Sequence, residues 1–373
     1  MRIAVDLTPV FDHLTGVERY NINIVQSMIE DHPEDTFILV FKSEIHRDFE
    51  ETVNRINVEY SILPPCNKLI FLQWRLLKAM NKIEADYYLF LSFTSPMLFR
   101  KKKAISAIHD LTCWDCPESI PTKMKYYYRL TYLGSVRNDW KTVTVSKFSQ
   151  RRICEKYDIS EDRVPVIYDG LTDVFKQETN KSIENIREKY NLPQYYLLSL
   201  STIEPRKNLQ LLITAYQELI GENNQLPDLV LAGRKGWKLD EILKNIDVQI
   251  QKRIHFTGFV DDEDLPVLYR NAKLFIFPSK YEGFGLPLIE AMSQRTLVLS
   301  SDAASLPEIV GGNGILFKSD NKEDLKRKLL STLALSENER NQIIDKASIR
   351  ARLFDWNIEA EKLHELMKKG MKA

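Results

Sequence analysis

Residues Lys273 to Met292 read KLFIFPSKYEGFGLPLIEAM, and two carboxylates in this stretch, Glu282 and Glu290, enclose seven residues. Between them, Gly283 and Gly285 give a loop with little side-chain bulk. Pro287 suits the first turn of a helix, where its missing N–H costs nothing. At such a helix start the amides of Gly283, Phe284, Gly285 and Leu286 can converge on a phosphate, aided by the helix dipole. Neither carboxylate belongs beside a phosphate, but each is a good acceptor for sugar hydroxyls. A second stretch, Thr202-Ile-Glu-Pro-Arg-Lys-Asn208, sets Arg206 and Lys207 side by side before Asn208, a residue type that caps helices. Two adjacent cations suit a diphosphate, because negative charge grows on the departing group as a sugar–phosphate bond breaks. A third motif, His109-Asp110, follows the apolar run Ala104 to Ile108. Together these chemistries describe a nucleotide sugar, with backbone and cations on the phosphates and acids on the hydroxylated rings. On residue types alone the plainer reading stays open: solvated loop acids, a solvated charge pair and a structural histidine.

These motifs need strand ends to hold them. The pattern predicts strands at Arg2–Leu7, Thr36–Phe41, Val58–Leu63, Tyr87–Leu91, Ala104–His109, Thr142–Val145 and Val164–Tyr168. A second series is predicted at Tyr195–Ser201, Leu229–Ala232, Arg253–Phe256, Leu274–Phe277, Leu297–Ser300 and Gly314–Phe317. Helical periodicity lies between them, at Tyr20–Glu30, Leu69–Met80, Thr122–Trp140, Lys147–Tyr157, Leu209–Ile220, Asp264–Asn271, Lys322–Leu335, Glu337–Leu353 and Phe354–Lys369. Alternating strands and helices imply parallel sheets covered on both faces. Polar residues from Lys176 to Glu188 mark a linker, so we expect a first domain over 1–174, a second over 175–353 and a final helix over 354–373. In doubly wound sheets ligands bind beyond the carboxyl ends of strands, which is where all three motifs fall.

At 373 residues the chain is long enough for two cores. With 52 basic and 52 acidic residues it has no net charge, and nothing points to nucleic acid. No apolar run reaches membrane-span length, and MRIAVDLTPV reads as a first strand instead of a signal peptide. That implies cytoplasmic residence. Four cysteines are present (Cys66, Cys113, Cys116 and Cys154), and the single C-x-x-C lacks the second ligand pair of a structural zinc site. No metal site is expected. The acids Asp261 to Asp264 read as helix-start residues, not ligands. From Arg100 to Lys156 there are thirteen basic against five acidic residues, and from Met1 to Phe99 nine against fourteen. The tyrosine-rich, basic stretch from Thr122 suits an anionic membrane surface or a helix packed on its tyrosines. No G-x-G-x-x-G follows the first strand, which argues against a nicotinamide or flavin.

The string YEGFGLP-x-x-EAM, with its E-x7-E spacing, resembles that of the retaining glycosyltransferases of family four. TIEPRKN, IHDL, VTVSKFS, VIYDGL, LVLAGRKGW, IHFTGFV and SDAASLPEIVGGNGILF resemble further segments of the same family. The resemblance implies two Rossmann-like domains facing a central cleft (the GT-B fold), with the final helix crossing back to the first domain. It implies a hexose-type transfer from a nucleoside-diphosphate sugar to a saccharide or lipid-linked saccharide, in bacterial surface polysaccharide synthesis at the inner face of the plasma membrane. No cofactor is expected beyond that donor. It assigns Arg206, Lys207 and the amides of Gly283, Phe284, Gly285 and Leu286 to the diphosphate, Glu290 to the ribose and Glu282 to the sugar. His109 would meet the sugar or the acceptor, and Gly16 the phosphate and acceptor. The chain departs from the family pattern at three places. Ser201-Thr202 stands where many members have Gly-Arg, Glu18 where a second small residue is common, and Asp169 where asparagine is commoner. A sugar-nucleotide epimerase of the same architecture and a non-catalytic partner subunit are the alternatives.

Overall fold

In the computed structural model the described residues are 1–10, 14–65, 71–101, 103–177, 179, 181–202, 204–222, 225–234 and 247–372. They form two compact units, Met1–Gly170 with Asp355–Ala373, and Leu171–Phe354. The sequence put the first boundary at 174. Residues 171–174 belong instead to unit 2, next to Phe175, whose carbonyl accepts from Gln294 Nε2 at 2.9 Å and whose ring meets Tyr269 at 6.0 Å.

Unit 1 holds six strands: β1 (Arg2–Asp6), β2 (Thr36–Lys42), β3 (Val58–Leu63), β4 (Tyr87–Phe90), β5 (Ala104–Ala107) and β6 (Lys141–Val143). Their order is β3-β2-β1-β4-β5-β6, with every pairing parallel. Such strands are covered on both faces, so they read as unbroken apolar runs, as in FILVF of β2 and YLF of β4. The expected strand Val164–Tyr168 shrinks to one parallel bridge between Thr144 and Val166. Pro165 removes a donor from that ladder. The last helix, Trp356–Lys372, packs on the first, Gly16–Asp31, within this unit. The expected helix from Leu69 starts among residues outside the described set; Phe71–Leu76 is a π-helical turn that runs into the α-helix Leu77–Lys82.

Unit 2 repeats the plan with β7 (Tyr196–Leu200), β8 (Asp228–Ala232), β9 (Ile254–Gly258), β10 (Leu274–Phe277), β11 (Val298–Ser301) and β12 (Ile315–Phe317). The order is β12-β11-β10-β7-β8-β9, again parallel throughout. Its core joins Leu197, Leu229, Leu274 and Leu299 of the sheet to Leu212, Ile213 and Leu325 of the covering helices, all fully buried or nearly so. Burying a leucine contributes about 2 kcal/mol, and a dozen such residues define this unit's fold.

Both sheets reverse direction once in their strand order. Unit 1 turns between β1 and β4, and unit 2 between β7 and β10. Crossover helices leave such a point on opposite faces and open a crevice at the strand ends.

Candidate active site

In unit 2 the two neighbouring strands at the reversal, β7 and β10, deliver the two motifs. The segment after β7 carries Arg206 and Lys207, and the segment after β10 carries Glu282. They meet. Arg206 Nη1 donates to Glu282 Oε2 at 2.8 Å, and Lys207 Nζ to Glu282 Oε1 at 2.6 Å. Backbone bonds lock the segments together, with Lys280 N donating to Arg206 O at 2.8 Å and Arg206 Nη1 to Tyr281 O at 3.3 Å. Lys207 also lies 5.6 Å from the centre of the Phe277 ring. Pro205–Lys207 form a 3-10 turn ended by Asn208 at φ +56°, so Asn208 closes this turn in the left-handed region. Asparagine tolerates that conformation better than most residues. Ile203 lies outside the described residues.

The glutamate is 6 % exposed. Burial alone pushes its carboxyl up, but Lys207 and Arg206 hold it at about 2. Lys207 moves the other way from a typical paired lysine: burial lowers it, and Glu282 only partly offsets that while Arg206 adds to it. Arg206 Nε also donates to the more exposed Glu204 at 3.2 Å, so two carboxylates balance the two cations, and an anionic ligand competes with Glu204 for the guanidinium.

The glycine loop is built as the spacing predicts. Gly285 precedes the helix Leu286–Ser293 at φ +117°, and a Cβ there would stand 2.9 Å from Leu306 Cδ2. Glycine is therefore required at that position. Ser305 Oγ donates to the carbonyls of Glu282 (2.9 Å) and Phe284 (2.8 Å), which turns those oxygens toward Ser305. The first amides of a helix have no partner one turn back; here Pro287 has no N–H and Leu288 N donates to Gly285 O at 2.9 Å, which leaves the amide of Leu286. Glu290, one turn into this helix, accepts from Tyr269 Oη at 2.8 Å. Tyr269 comes from the preceding helix, Leu265–Arg270, and sequence reasoning missed it because nothing marks it beyond an apolar pattern.

In unit 1, His109 lies just past β5. Its Nε2 is 2.9 Å from Leu91 O, in the segment after β4, and the Tyr20 ring meets it edge-on at 5.0 Å. Burial lowers its pKa, against the Leu91 hydrogen bond and Asp110, so the ring is neutral at pH 7. With Nε2–H donating to the carbonyl, Nδ1 is the acceptor nitrogen. Gly16 opens the first helix directly after its N-cap, Thr15. Glu18 accepts from Thr15 N at 2.9 Å and closes a capping box, which explains an acid at that place. Asn21, also unforeseen, donates to Asp6 O and Ser92 Oγ, each at 2.9 Å, and so ties the ends of β1 and β4.

Asp169 is buried in unit 1 with Oδ1 unpartnered, and burial, then Glu359, raises its pKa well above the carboxylate range. The acids Asp261–Asp264 do start a helix, as a 3-10 turn that runs into Leu265–Arg270. They do not cap by side chain: Asp264 accepts from Lys181, Lys189 (each 2.6 Å) and Tyr190 (2.8 Å), and lies at about 2 despite its burial. Cys113 is buried and its thiol pushed up to about 12 by burial, which disfavours the thiolate a metal needs. Of the matched segment 229–237, Lys235, Gly236 and Trp237 lie outside the described residues.

Two doubly wound sheets, one with a buried glutamate gripping two cations at its reversal point, define a glycosyltransferase of the GT-B fold. Residues 182–350 match the family described as glycosyl transferases group 1, and the chain carries a domain of that family. It is 28 % identical to the O-antigen chain mannosyltransferase B of Escherichia coli, over 95 % of this chain and 96 % of that protein. It is 37 % identical to the serotype-specific mannosyltransferase WbdA of Escherichia coli over 49 % of this chain, but spans only 23 % of that longer protein. The structure of Anabaena HepE in complex with UDP-glucose superposes with a TM-score of 0.74 at 18 % identity, covering 99 % of this chain and 100 % of that one. The protein is a glycosyltransferase.

Proposed function

We propose that the protein transfers a hexose, mannose by its similarity to the O-antigen mannosyltransferase, from a nucleoside-diphosphate sugar to a saccharide acceptor in surface polysaccharide synthesis. The observation that carries this reading is the Arg206–Glu282–Lys207 cluster beside a glycine-led helix start. Arg206, Lys207 and the amides of Gly283, Phe284, Gly285 and Leu286 take the diphosphate. Glu282 holds both cations in place and turns toward the sugar when the diphosphate shares them. Glu290, oriented by Tyr269, takes the ribose. We assign the acceptor to unit 1, with Gly16 on its phosphate side and His109 Nδ1 accepting a hydrogen bond from a sugar hydroxyl. No metal ion or cofactor is assigned to the transfer, since the cations and amides neutralise the donor.

The sugar–phosphate bond breaks as the acceptor hydroxyl attacks the same face, and the departing phosphate oxygen takes the hydroxyl proton. The anomeric configuration is therefore retained. Proton NMR of the product, with a panel of nucleotide sugars as donors, checks this: an inverted linkage overturns the front-face step. Donor incubated alone should give at most slow hydrolysis. Conversion to an epimeric sugar nucleotide would favour the epimerase instead.

A lipid-linked acceptor and peripheral contact with an anionic membrane belong to the same proposal. No helix among the described residues is long and apolar enough to cross a membrane. Trp74, Leu98, Tyr126 and Leu130 are nevertheless 72, 67, 61 and 51 % exposed. They lie on the segments that wall an apolar groove of Leu72, Leu76, Phe93, Pro96, Met124 and Tyr127. Lys123, Lys125 and Arg129 lie on the same helix, Thr122–Asn138, as Tyr126 and Leu130. Apolar side chains among cations favour a headgroup interface. Vesicle flotation should show binding to anionic and not to zwitterionic lipid, weakened at least several-fold by Trp74→Ser. Equal recovery on both vesicles contradicts the contact.

A further inference from the structure

We propose that His32, Glu361 and His364 form a binding site for one divalent transition-metal cation, Zn²⁺ in particular, that clips the last helix of unit 1 to its first. This site is separate from the groups assigned to sugar transfer and does not rest on that assignment.

His32 follows directly on the first helix and closes it, its N–H donating to Met28 O at 3.1 Å. Glu361 and His364 are three residues apart on the last helix, so they share one face of it. A Glu-x-x-His pair on a helix is the spacing by which helical bundles present a carboxylate and an imidazole to one ion. Here a histidine from a second helix completes the set. One ring nitrogen each of His32 and His364 and one Glu361 oxygen all lie within 4.8 Å of one another.

The hydrogen bonds around the two rings divide as a metal site requires. A ligating histidine commonly gives its second nitrogen to a carboxylate, which fixes the tautomer and strengthens the ligand. His364 Nε2 is 2.7 Å from Asp35 Oδ2, and His32 Nδ1 is 3.4 Å from Glu34 Oε1. The other two nitrogens are the ones left for an ion. His32 Nε2 lies 2.9 Å from Glu361 Oε2, and His364 Nδ1 is buried with no partner. The His364 side chain is 3 % exposed, so that orphan nitrogen is costly unless something fills its lone pair. A second overlapping set, Glu34, Asp35 and His364, fits less well, because both of its acids already serve as the outer partners just described.

The rings stack at 3.4 Å between centroids and 10° between planes. In a tetrahedral zinc site with bonds of about 2.0–2.1 Å, ligand atoms stand about 3.3 Å apart. The candidate ligand atoms lie within 4.8 Å of one another, but parallel rings send their lone pairs side by side. One ring must turn for the lone pairs to converge. The turn falls to His32, which at 12 % side-chain exposure is the less buried of the two rings, and Glu361, at 50 %, is the ligand nearest solvent. Two imidazoles and one carboxylate select zinc-like ions over calcium or magnesium, with water as the fourth ligand.

The test uses the full chain without a histidine tag, stripped by a chelator and titrated calorimetrically with ZnCl₂ and CoCl₂. One equivalent is expected to bind, with His32→Gln and Glu361→Gln each weakening it at least tenfold. Both positions are partly exposed, so circular dichroism should show these variants folded even if His364→Gln is not. Saturating Zn²⁺ should raise the wild-type Tm by about 5 °C and leave His32→Gln unmoved. No binding by the folded wild type, or equal affinity in both variants, overturns the site. So does a thiolate-to-cobalt charge-transfer band at one equivalent, which would move the ion to the cysteines.

Discussion

Arg206→Ala should lower turnover about 100- to 1,000-fold while leaving the protein folded. Without substrate, the arginine is paired with Glu282. Its guanidinium shares Glu282 with Lys207, and its side chain is 22 % exposed, so removing it still leaves the glutamate a buried cation at 2.6 Å. The fold therefore survives. The diphosphate loses a charge-assisted contact that strengthens as the sugar departs, so the loss falls on kcat more than on KM. Ser201-Thr202 does not supply the cation that the family resemblance places there. Steady-state kinetics with the best donor of the panel, beside a thermal melt, separates the two effects. Turnover within threefold of wild type would remove Arg206 from the chemistry.

Glu282→Gln has the opposite profile and should destabilise unit 2 by about 3–5 kcal/mol, a Tm loss on the order of 10 °C. The substitution is nearly isosteric, so packing is not the cause. It leaves Lys207 buried beside Arg206 without its own carboxylate, the remaining acid, Glu204, being paired to Arg206 at 3.2 Å. The pH dependence gives a second reading. Glu282 is held at about 2 in the folded chain against an ordinary value of 4.5. The unfolded state thus binds the proton more readily, and the carboxylate's contribution is complete above about pH 4.5 and lost as pH falls through 2. Acid titration of stability should show this loss in wild type and its absence in Glu282→Gln. A melt unchanged by the substitution would mean the cluster is solvated and unstrained.

Much of the architecture could be read from the chain because buried parallel strands are apolar throughout and helices are not. Leu274–Phe277 and Lys147–Tyr157 agree with the sequence reading to the residue. The glycine loop was legible too, since Gly285 answers a backbone requirement and Pro287 falls in the first turn of the helix. What could not be read was partnership across distance. Glu282 pairs with residues 75 and 76 positions away, and spacing rules address only neighbours on one element. Sequence alone therefore gave the glutamate to the sugar and the cations to the phosphate, although the three form one cluster. The ion pairs of Asp264 were hidden for the same reason, its lysines lying in another helix and its entry. His32 and His364 were passed over because the search for ligands followed cysteines close in sequence, whereas this pair meets only when the first and last helices pack.

The account rests on a diphosphate held by the Glu282-anchored cations. Titration calorimetry of nucleoside diphosphate against the matching monophosphate, in wild type and Arg206→Ala, measures that directly. Wild type should bind the diphosphate at least about tenfold more tightly, roughly 1.4 kcal/mol, and Arg206→Ala should bring the two to within about threefold. Equal affinity for both nucleotides in the wild-type protein, or an undiminished preference in the variant, would contradict it.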